Sequence, residues 1–384
     1  MQFKNVIGQY STKTVLRSMI AQDRMPHALL FLGPEGSGKL ALAIAFARYV
    51  LCENRGEEEA CKQCPACIKS SKLIHPDLHF SFPTIGTKAT SNQFLAQWRS
   101  AMSQNPYLNA NQWLQLIGAE NKQGNINKEE CVNIIRKLNL KAFESSYKIL
   151  ILWLPEYLGK EGNRLLKLIE EPPERTLFLL VAENQELILN TILSRCQLIK
   201  VDRLPDEQIA HALEERGLAS GDRAQTLARL ADGNFNEALQ LADSSDNDLA
   251  QLFIDWMRKC YRGNGVEQVT WVEKFAGLGR ENQKQFFQYG LHFLREYLLL
   301  KTTNKASLLR LQGDELKAAQ GMLKVIELDA LEDMMQLFND CSYYIERNAH
   351  PKVLMLDCSI QLHEILKLPR SKRSRPDYLA KIKM

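Results

Sequence analysis

Five short apolar runs alternate with longer segments of helical periodicity in the first half of the chain. They span residues 28–32, 78–82, 148–153, 176–181 and 197–201. Continuous apolar runs of this length are typical of strands buried on both faces of a parallel sheet. Because helical segments separate the runs, the pattern predicts a parallel five-stranded α/β sheet with right-handed crossovers.

The hydrophobic pattern changes after Asp202, where runs of strand length give way to amphipathic helical periodicity that continues to Pro369. A polar stretch separates the second and third predicted strands, and we interpret it as an insertion at about 84–125. A break at Ser244-Ser245-Asp246 divides the helical part. The expected organisation is an α/β domain over 1–202, an all-α domain over 203–245, a second all-α domain over 246–370, and a basic, disordered tail over 371–384.

Composition narrows the class of protein without setting its function. The 384 residues are 45% apolar and 24% charged, as in an ordinary globular protein, and the net charge of +4 is too small to indicate nucleic-acid binding by itself. No apolar run is long enough to span a membrane, and the first residues lack the apolar core of a signal peptide. We therefore expect a cytoplasmic protein, in which the nine cysteines are reduced.

The loop after the first predicted strand carries a pattern typical of phosphate binding. It reads Gly33-Pro34-Glu35-Gly36-Ser37-Gly38-Lys39-Leu40, with a helix predicted behind it over 40–50. Gly33, Gly36 and Gly38 let backbone N–H groups approach phosphate oxygens, and Lys39 adds a positive charge. The P-loop of nucleoside triphosphatases has a serine or threonine where this chain has Leu40, and that hydroxyl binds Mg²⁺. We interpret the loop as a degenerate nucleotide loop. An accidental glycine-rich turn is the alternative, and the strand–loop–helix context argues against it.

The end of the third predicted strand lacks the acidic pair that ATPases of this architecture place there. One of those acids binds Mg²⁺ and the other activates water. Trp153 and Leu154 occupy the corresponding positions, and the next carboxylate, Glu156, follows two residues later. With two independent Mg²⁺ positions apolar, we expect no Mg²⁺ site and no ATP hydrolysis. Whether ATP still binds without being cut is left open by the sequence.

Four cysteines fall within sixteen residues, at Cys52, Cys61, Cys64 and Cys67. Four thiolates form the closed tetrahedral set that structural Zn²⁺ prefers, and a closed set leaves no position for catalysis. The spacing therefore predicts a structural zinc module over 52–67. A chance cluster of free thiols and a redox role for the two C-x2-C pairs are the alternatives.

The segment from Asn163 to Cys196 carries a more specific signal. It reads N-x-L-L-K-x-x-E-E-P-P, then a strand, then T-I-x-S-R-C. This pattern resembles the clamp-loader branch of the AAA+ ATPases, and the cysteine cluster directly behind the loop helix is also similar to that branch. The resemblance is strong over 1–205 and weaker over the helical remainder.

The resemblance implies a fold, a set of partners and a role. The fold would be a P-loop-type AAA+ domain with a zinc module, followed by an all-α lid and an all-α collar for oligomerisation. The partners would be the gamma/tau and delta subunits of the DNA polymerase III clamp loader, and through them primed DNA and the sliding clamp, with no membrane. The lost Mg²⁺ positions are similar to those of the family's stator-type subunits, which belong to a DNA-directed DNA polymerase holoenzyme without being catalytic themselves.

Arg195, within T-I-x-S-R-C, is the candidate catalytic residue. The resemblance implies that it acts as an arginine finger in trans, completing the ATP site of a neighbouring subunit. The alternative is an arginine that caps the sheet edge or pairs with Glu170 or Glu171. Two other functions also stay open: an active gamma/tau-type ATPase, and a zinc-bearing nucleic-acid-binding protein outside any loader.

Overall fold

The structure of the chain is a computed structural model. It describes residues 1–118, 124–243, 249–305, 309, 311, 313–323, 325–347 and 349–368. The chain forms two compact units, Met1–Ala242 and Asp243–Met384. The break predicted at 244–246 and the basic tail predicted over 371–384 lie outside the described residues.

The first unit contains the predicted parallel sheet of five strands, in the order β2-β3-β4-β1-β5. The strands are β1 (Ala28–Leu32), β2 (Leu78–Ser81), β3 (Lys148–Trp153), β4 (Thr176–Ala182) and β5 (Gln197–Lys200). Each neighbouring pair is parallel. The second strand ends one residue earlier than predicted, because the Phe82 N–H donates to the Ser91 hydroxyl (3.1 Å) instead of continuing the ladder.

Helices cover both faces of this sheet, because alternate side chains of its strands enter two different apolar clusters. In β1, Leu29 and Phe31 join one cluster, and Ala28 and Leu30 join the other. The helices of the first unit are α1 (Tyr10–Ala21), α2 (Lys39–Leu51), α3 (Pro65–Ser71), α4 (Leu95–Gln104), α5 (Ala110–Leu116), α6 (Lys128–Asn139), α7 (Leu166–Glu170), α8 (Asn190–Leu193), α9 (Asp206–Glu215), α10 (Gly221–Ala231) and α11 (Phe235–Asp243). Four 3-10 segments connect them, at Phe3–Asn5, Ser91–Phe94, Pro155–Leu165 and Gln185–Leu187.

The polar stretch predicted as an insertion contributes to the core of the first unit. Trp98 of α4 and Trp113 of α5 are fully buried, with their ring centroids 5.1 Å apart. Trp98 also lies 5.2 Å from Trp153 at the end of β3. This stretch therefore packs directly on the carboxyl-terminal end of β3. Its residues 119–123 lie outside the described part.

The described residues of the second unit form helices and the connections between them. Its helices are α12 (Leu249–Arg262), α13 (Gly265–Ala276), α14 (Arg280–Thr303), α15 (Gly313–Met322), α16 (Leu328–Glu346) and α17 (Pro351–Lys367). An aromatic cluster around Phe253 and Trp256 of α12 forms much of its core. Within the residues that the structure describes, no helix is both long and apolar enough to cross a membrane.

Candidate functional site: a filled nucleotide loop

The predicted site residues meet at one edge of the sheet. Because the strands are parallel, the carboxyl ends of β1, β3 and β4 lie side by side. This brings together the glycine-rich loop after β1, Trp153 at the end of β3 and Glu183 just after β4. Ligands of open α/β sheets bind at this edge, so a ligand of this chain is expected here.

The glycines of the loop are required by its backbone. Gly36 and Gly38 have φ angles of +67° and +87°, which strain any residue with a Cβ atom. Gly33 is hemmed in instead: its N–H donates to the Ala182 carbonyl (3.3 Å), and a Cβ atom there would lie 2.1 Å from the Val201 carbonyl oxygen. The loop therefore has a tight conformation that disfavours a side chain at each of these three positions.

The Lys39 side chain contacts polar groups of its own chain. Its Nζ atom lies 3.0 Å from Glu183 Oε1 and donates to the Pro34 carbonyl (2.9 Å), and the side chain is buried. A carboxylate of this chain therefore neutralises the charge that would bind a phosphate. A nucleotide could use Lys39 only by displacing Glu183.

The positions that would bind Mg²⁺ in an active ATPase are apolar and buried. Leu40, Trp153 and Leu154 are each at most 3% exposed. The nearby Glu156 is engaged elsewhere, since its Oε1 atom accepts the backbone N–H groups of Glu183 (2.5 Å) and Asn184 (2.8 Å). Burial raises the pKa of Glu156, because desolvation disfavours its charged form.

Tyr107, between α4 and α5, fills the space in front of the loop. A Cβ atom on Gly38 would lie 2.9 Å from the Tyr107 ring, so the two residues are in contact. The Tyr107 hydroxyl accepts the Ile7 N–H (3.0 Å), and its ring meets Phe235 of α11 edge-on at 5.0 Å. The cavity left between Tyr107 and the loop measures about 10 Å³. Ligand pockets usually measure about 300–1,000 Å³, so this cavity is far smaller than a typical ligand pocket.

Polar contacts join the loop to the helices that follow the sheet. Glu35 accepts from Asn109 Nδ2 (2.9 Å) and from Asn234 Nδ2 (3.3 Å). The Phe235 N–H donates to the Gly36 carbonyl (3.1 Å). We call α9–α11, residues 206–243, the three-helix segment. The glycine-rich loop therefore contacts the three-helix segment directly, through Asn234 and Phe235.

Arg195 lies just after α8 and interacts with neighbouring groups of its own chain. Its Nη2 atom pairs with Glu170, and its Nη1 atom donates to the Thr191 carbonyl (2.6 Å) and the Ser194 hydroxyl (3.2 Å). About a third of the Arg195 side chain is exposed, at 32%, and 42% of Glu170 is exposed. The ion pair is thus the one that the sequence alternative describes, and it lies at a surface where solvent weakens it.

The four predicted zinc ligands come together at the end of α2 and the start of α3. The sulfur atoms of Cys52, Cys61, Cys64 and Cys67 all lie within 4.8 Å of one another. Two of these distances, Cys52–Cys64 and Cys61–Cys67, are 4.0 and 3.9 Å. Sulfurs bound tetrahedrally at a Zn–S distance of about 2.3 Å would lie about 3.8 Å apart. The cluster therefore fits a four-sulfur zinc site with small adjustments.

Backbone donors and burial act differently on these thiols. The N–H of Cys64, above all, donates to Cys61 and lowers the pKa of that thiol to about 6. Burial raises the pKa of Cys52 to about 12 and also raises that of Cys67. Without a cation the buried members therefore favour the neutral thiol. A bound metal ion would supply the charge that keeps all four deprotonated.

Sequence reasoning missed several residues of this site. Tyr107 lies in a polar stretch without a recognisable motif. Glu183 directly follows the apolar strand β4, and nothing in that sequence indicates that it pairs with Lys39. Asn109 and Asn234 were missed for the same reason. Asn109 does begin α5 with a capping box, a signal that could have located the helix but not its contact with Glu35. All of these contacts are long-range.

Comparisons with known proteins identify the family of this chain. Residues 8–205 match the family described as DNA polymerase III, delta subunit. The tau subunit of DNA polymerase III from Bacillus subtilis is 24% identical over 378 residues, which cover 92% of this chain and 60% of that protein. The delta' subunit from the same bacterium is 27% identical over 235 residues, which cover 61% of this chain and 58% of that protein. The chain thus spans about three fifths of the length of each of these two relatives.

A crystal structure of a DNA polymerase III gamma-subunit-related protein from Thermotoga maritima shares 16% identity, with 93% of this chain and 100% of that chain covered. Its TM-score of 0.39 is too low to support an argument about the fold. The family match carries the identification, since it extends over just over half of the sequence. The fold is a parallel five-stranded α/β sheet with a glycine-rich loop after its first strand. The chain belongs to the clamp-loader family of DNA polymerase III subunits.

Proposed function

We propose that the chain is a delta-prime-type subunit of the clamp loader, which helps to load the sliding clamp without hydrolysing ATP itself. The observation that carries the proposal is the state of the nucleotide loop. Tyr107 fills it, Glu183 neutralises Lys39, and the Mg²⁺ positions are apolar. A subunit that hydrolysed ATP would need an open loop, a Lys39 free to contact phosphate, and polar side chains at the Mg²⁺ positions.

The filled loop also suits a stator, by which we mean a subunit whose shape does not change through the ATP cycle. In an ATPase the bound nucleotide joins the loop to the helices that follow the sheet. Here Tyr107 and Asn234 make that connection with the chain's own side chains. The three-helix segment would therefore keep one position at the loop whether or not ATP is present.

Arg195 would be the catalytic contribution of this subunit, made to a neighbour. An arginine that stabilises the γ-phosphoryl group in trans raises hydrolysis by about 10³–10⁵-fold in other nucleotide hydrolases. In this chain Arg195 pairs with Glu170, and both side chains are partly exposed. A neighbouring subunit's triphosphate would replace the Glu170 carboxylate as the partner of the guanidinium, which remains charged throughout.

The remaining parts of the proposal follow from the family. The cysteine cluster would hold one structural Zn²⁺ and brace the module behind α2. The second unit would act as the collar that oligomerises with the gamma/tau and delta subunits. Primed DNA and the clamp would be reached through the complex, in the cytoplasm at the replisome.

An active gamma/tau-type ATPase is the second candidate, because the match to the tau subunit covers 92% of this chain and that to the delta' subunit covers 61%. The buried Leu40 and Trp153 argue against it, since neither side chain can bind Mg²⁺. Sequence coverage reflects common ancestry with the tau subunit, whereas ATP hydrolysis depends on the residues at the Mg²⁺ positions.

Reconstitution tests the proposal directly. The full chain is mixed with gamma/tau and delta subunits of the same bacterium, and size-exclusion chromatography and ATPase assays are run on each mixture. The proposal predicts one complex that requires this chain for clamp loading, and no ATPase activity of the chain alone. Magnesium-dependent turnover by the isolated chain that is lost in Lys39→Ala would instead support the gamma/tau-type reading. Absence of any complex would contradict both.

A further inference from the structure

The second unit contains a pocket of about 360 Å³ between α12, α15 and α17. We call it the basic-rimmed pocket. Its floor is apolar and includes Met257, Ile326 and Leu366, the first two of which are at most 2% exposed. Tyr261 and Val325 form its edges and remain 40% and 37% exposed. The volume lies in the range of about 300–1,000 Å³ typical of ligand pockets.

The rim of this pocket is positively charged. Among the described residues that line it, three are basic, Arg258, Arg262 and Lys317, and none is acidic. Outside the pocket, Asp314 lies 3.0 Å from Lys317, and Glu267 lies 3.8 Å from Arg262. The Arg262 and Lys317 side chains are 67% and 78% exposed, so these pairs are weak and can be exchanged for the carboxylates of a ligand.

Tyr297 and Lys301 of α14 make hydrogen bonds to backbone carbonyls beside the pocket. The Tyr297 hydroxyl lies 3.1 Å from the carbonyl oxygen of Met322, the last residue of α15, and 2.9 Å from that of Ile326. Lys301 donates to the carbonyls of Leu323 (3.3 Å) and Ile326. These contacts fix the carbonyl groups of Met322, Leu323 and Ile326 beside the pocket, so a ligand does not have to order them on binding.

We propose that the basic-rimmed pocket binds a short segment of a partner protein in which bulky apolar residues stand beside Asp or Glu. The apolar side chains would enter the floor, and the carboxylates would contact Arg258, Arg262 and Lys317 on the rim. The charges lie at the exposed edge and not inside the cavity, which suits a peptide lying across the mouth. The chain's own tail is excluded on charge, because Arg370, Lys372, Arg373 and Arg375 would be repelled.

A displayed library of random twelve-residue peptides, selected on the full chain, tests this proposal. Gly321, on α15, offers a matched pair of variants because a Cβ atom there would meet nothing within 4 Å. Gly321→Phe fills the pocket, and Gly321→Ala leaves it open. We expect selected peptides to be enriched in Leu, Phe or Trp next to Asp or Glu, and to be lost when Gly321→Phe is the target.

A selected peptide is then measured by fluorescence anisotropy. Gly321→Ala should bind within about twofold of the wild type, and Gly321→Phe at least about tenfold more weakly. Arg258→Glu should also weaken binding, and added salt should do the same because the rim charges are screened. Equal binding by Gly321→Phe, or a selection without acidic residues, overturns the proposal. Selection of no peptide, together with binding of dodecanoate that Gly321→Phe abolishes, would show a site for a small anionic amphiphile and equally overturn it.

Discussion

Lys39 Nζ lies 3.0 Å from Glu183 Oε1, so the residue that would bind a phosphate is paired with a carboxylate at the end of the neighbouring strand β4. The two side chains belong to segments 144 residues apart, and the parallel sheet brings them together. This ion pair and the Tyr107 ring close the nucleotide loop from two sides.

Opening the loop should restore nucleotide binding. Tyr107→Ala removes the ring that contacts Gly38, and Glu183→Gln removes the carboxylate that pairs with Lys39. The double variant should bind a fluorescent ATP analogue without Mg²⁺, whereas the wild type should give no signal at the same concentrations. Removing a buried aromatic ring costs about 3–5 kcal/mol, so circular dichroism must first show that the variant is folded.

Tyr107→Phe is the matched control, because it keeps the ring and loses only the bond to the Ile7 N–H. It should bind no more analogue than the wild type does. Binding by the wild type that matches the folded double variant would mean that the loop is not closed in solution.

The cysteine cluster should hold one Zn²⁺ per chain. Replacing Cys64 by serine should remove the metal and lower the free energy of unfolding by at least about 2 kcal/mol, since structural zinc contributes folding energy directly. Elemental analysis and urea unfolding measure the two effects. Cys196→Ser, outside the cluster, should keep full metal content. Wild-type protein that contains no metal, and in which all four thiols of the cluster react with a thiol reagent, would refute the zinc assignment.

His79 of β2 should make the first unit acid-sensitive. Burial lowers the pKa of His79 to about 4. The unfolded chain has a histidine pKa of about 6.5, so it takes up the proton first as the pH falls. This contribution to stability is therefore complete above pH 6.5 and lost as the pH falls toward 4, by at most about 1.4 kcal/mol per pH unit.

The unfolding free energy of His79→Gln, measured by urea titration, should depend less on pH than that of the wild type between pH 6.5 and pH 4.5. The control is His211→Gln, a histidine substitution at a side chain that is 70% exposed. Identical slopes for the wild type and His79→Gln would contradict a lowered pKa of His79 in the folded chain.

Gly33 should tolerate no side chain. A Cβ atom there would lie 2.1 Å from the Val201 carbonyl oxygen, so Gly33→Ala must push β5 away from β1. We expect a loss of about 2 kcal/mol or more in unfolding free energy. Gly56→Ala is the control, because its nearest contact would be an ordinary 3.6 Å. Equal denaturation midpoints for the two variants would contradict the close approach.

The sequence predicts the sheet well because its strands are continuous apolar runs, which have few alternatives to burial. It also predicts the cysteine cluster, whose members are close in sequence. It does not predict that Tyr107 fills the loop, because that contact depends on how α4 and α5 fold back over β3. Nor does it predict the choice between a free Arg195 and one paired with Glu170, since the same arginine is compatible with both.

The central claim is that this chain lacks ATPase activity and acts on a neighbour through Arg195, and one measurement tests it most directly. Loaders are reconstituted with wild-type chain, Arg195→Ala, Arg195→Lys or Glu170→Gln, and DNA-stimulated ATP hydrolysis is measured on complexes of equal composition. We expect Arg195→Ala to assemble normally and to lower the rate in part, because other subunits would complete other sites.

Arg195→Lys should not rescue the rate, since an ammonium lacks the planar fork of a guanidinium. Glu170→Gln should retain the rate or raise it, because it frees Arg195 from its partner in the isolated chain. A rate that is unchanged in fully assembled Arg195→Ala complexes would contradict the account and leave Arg195 as the structural partner of Glu170.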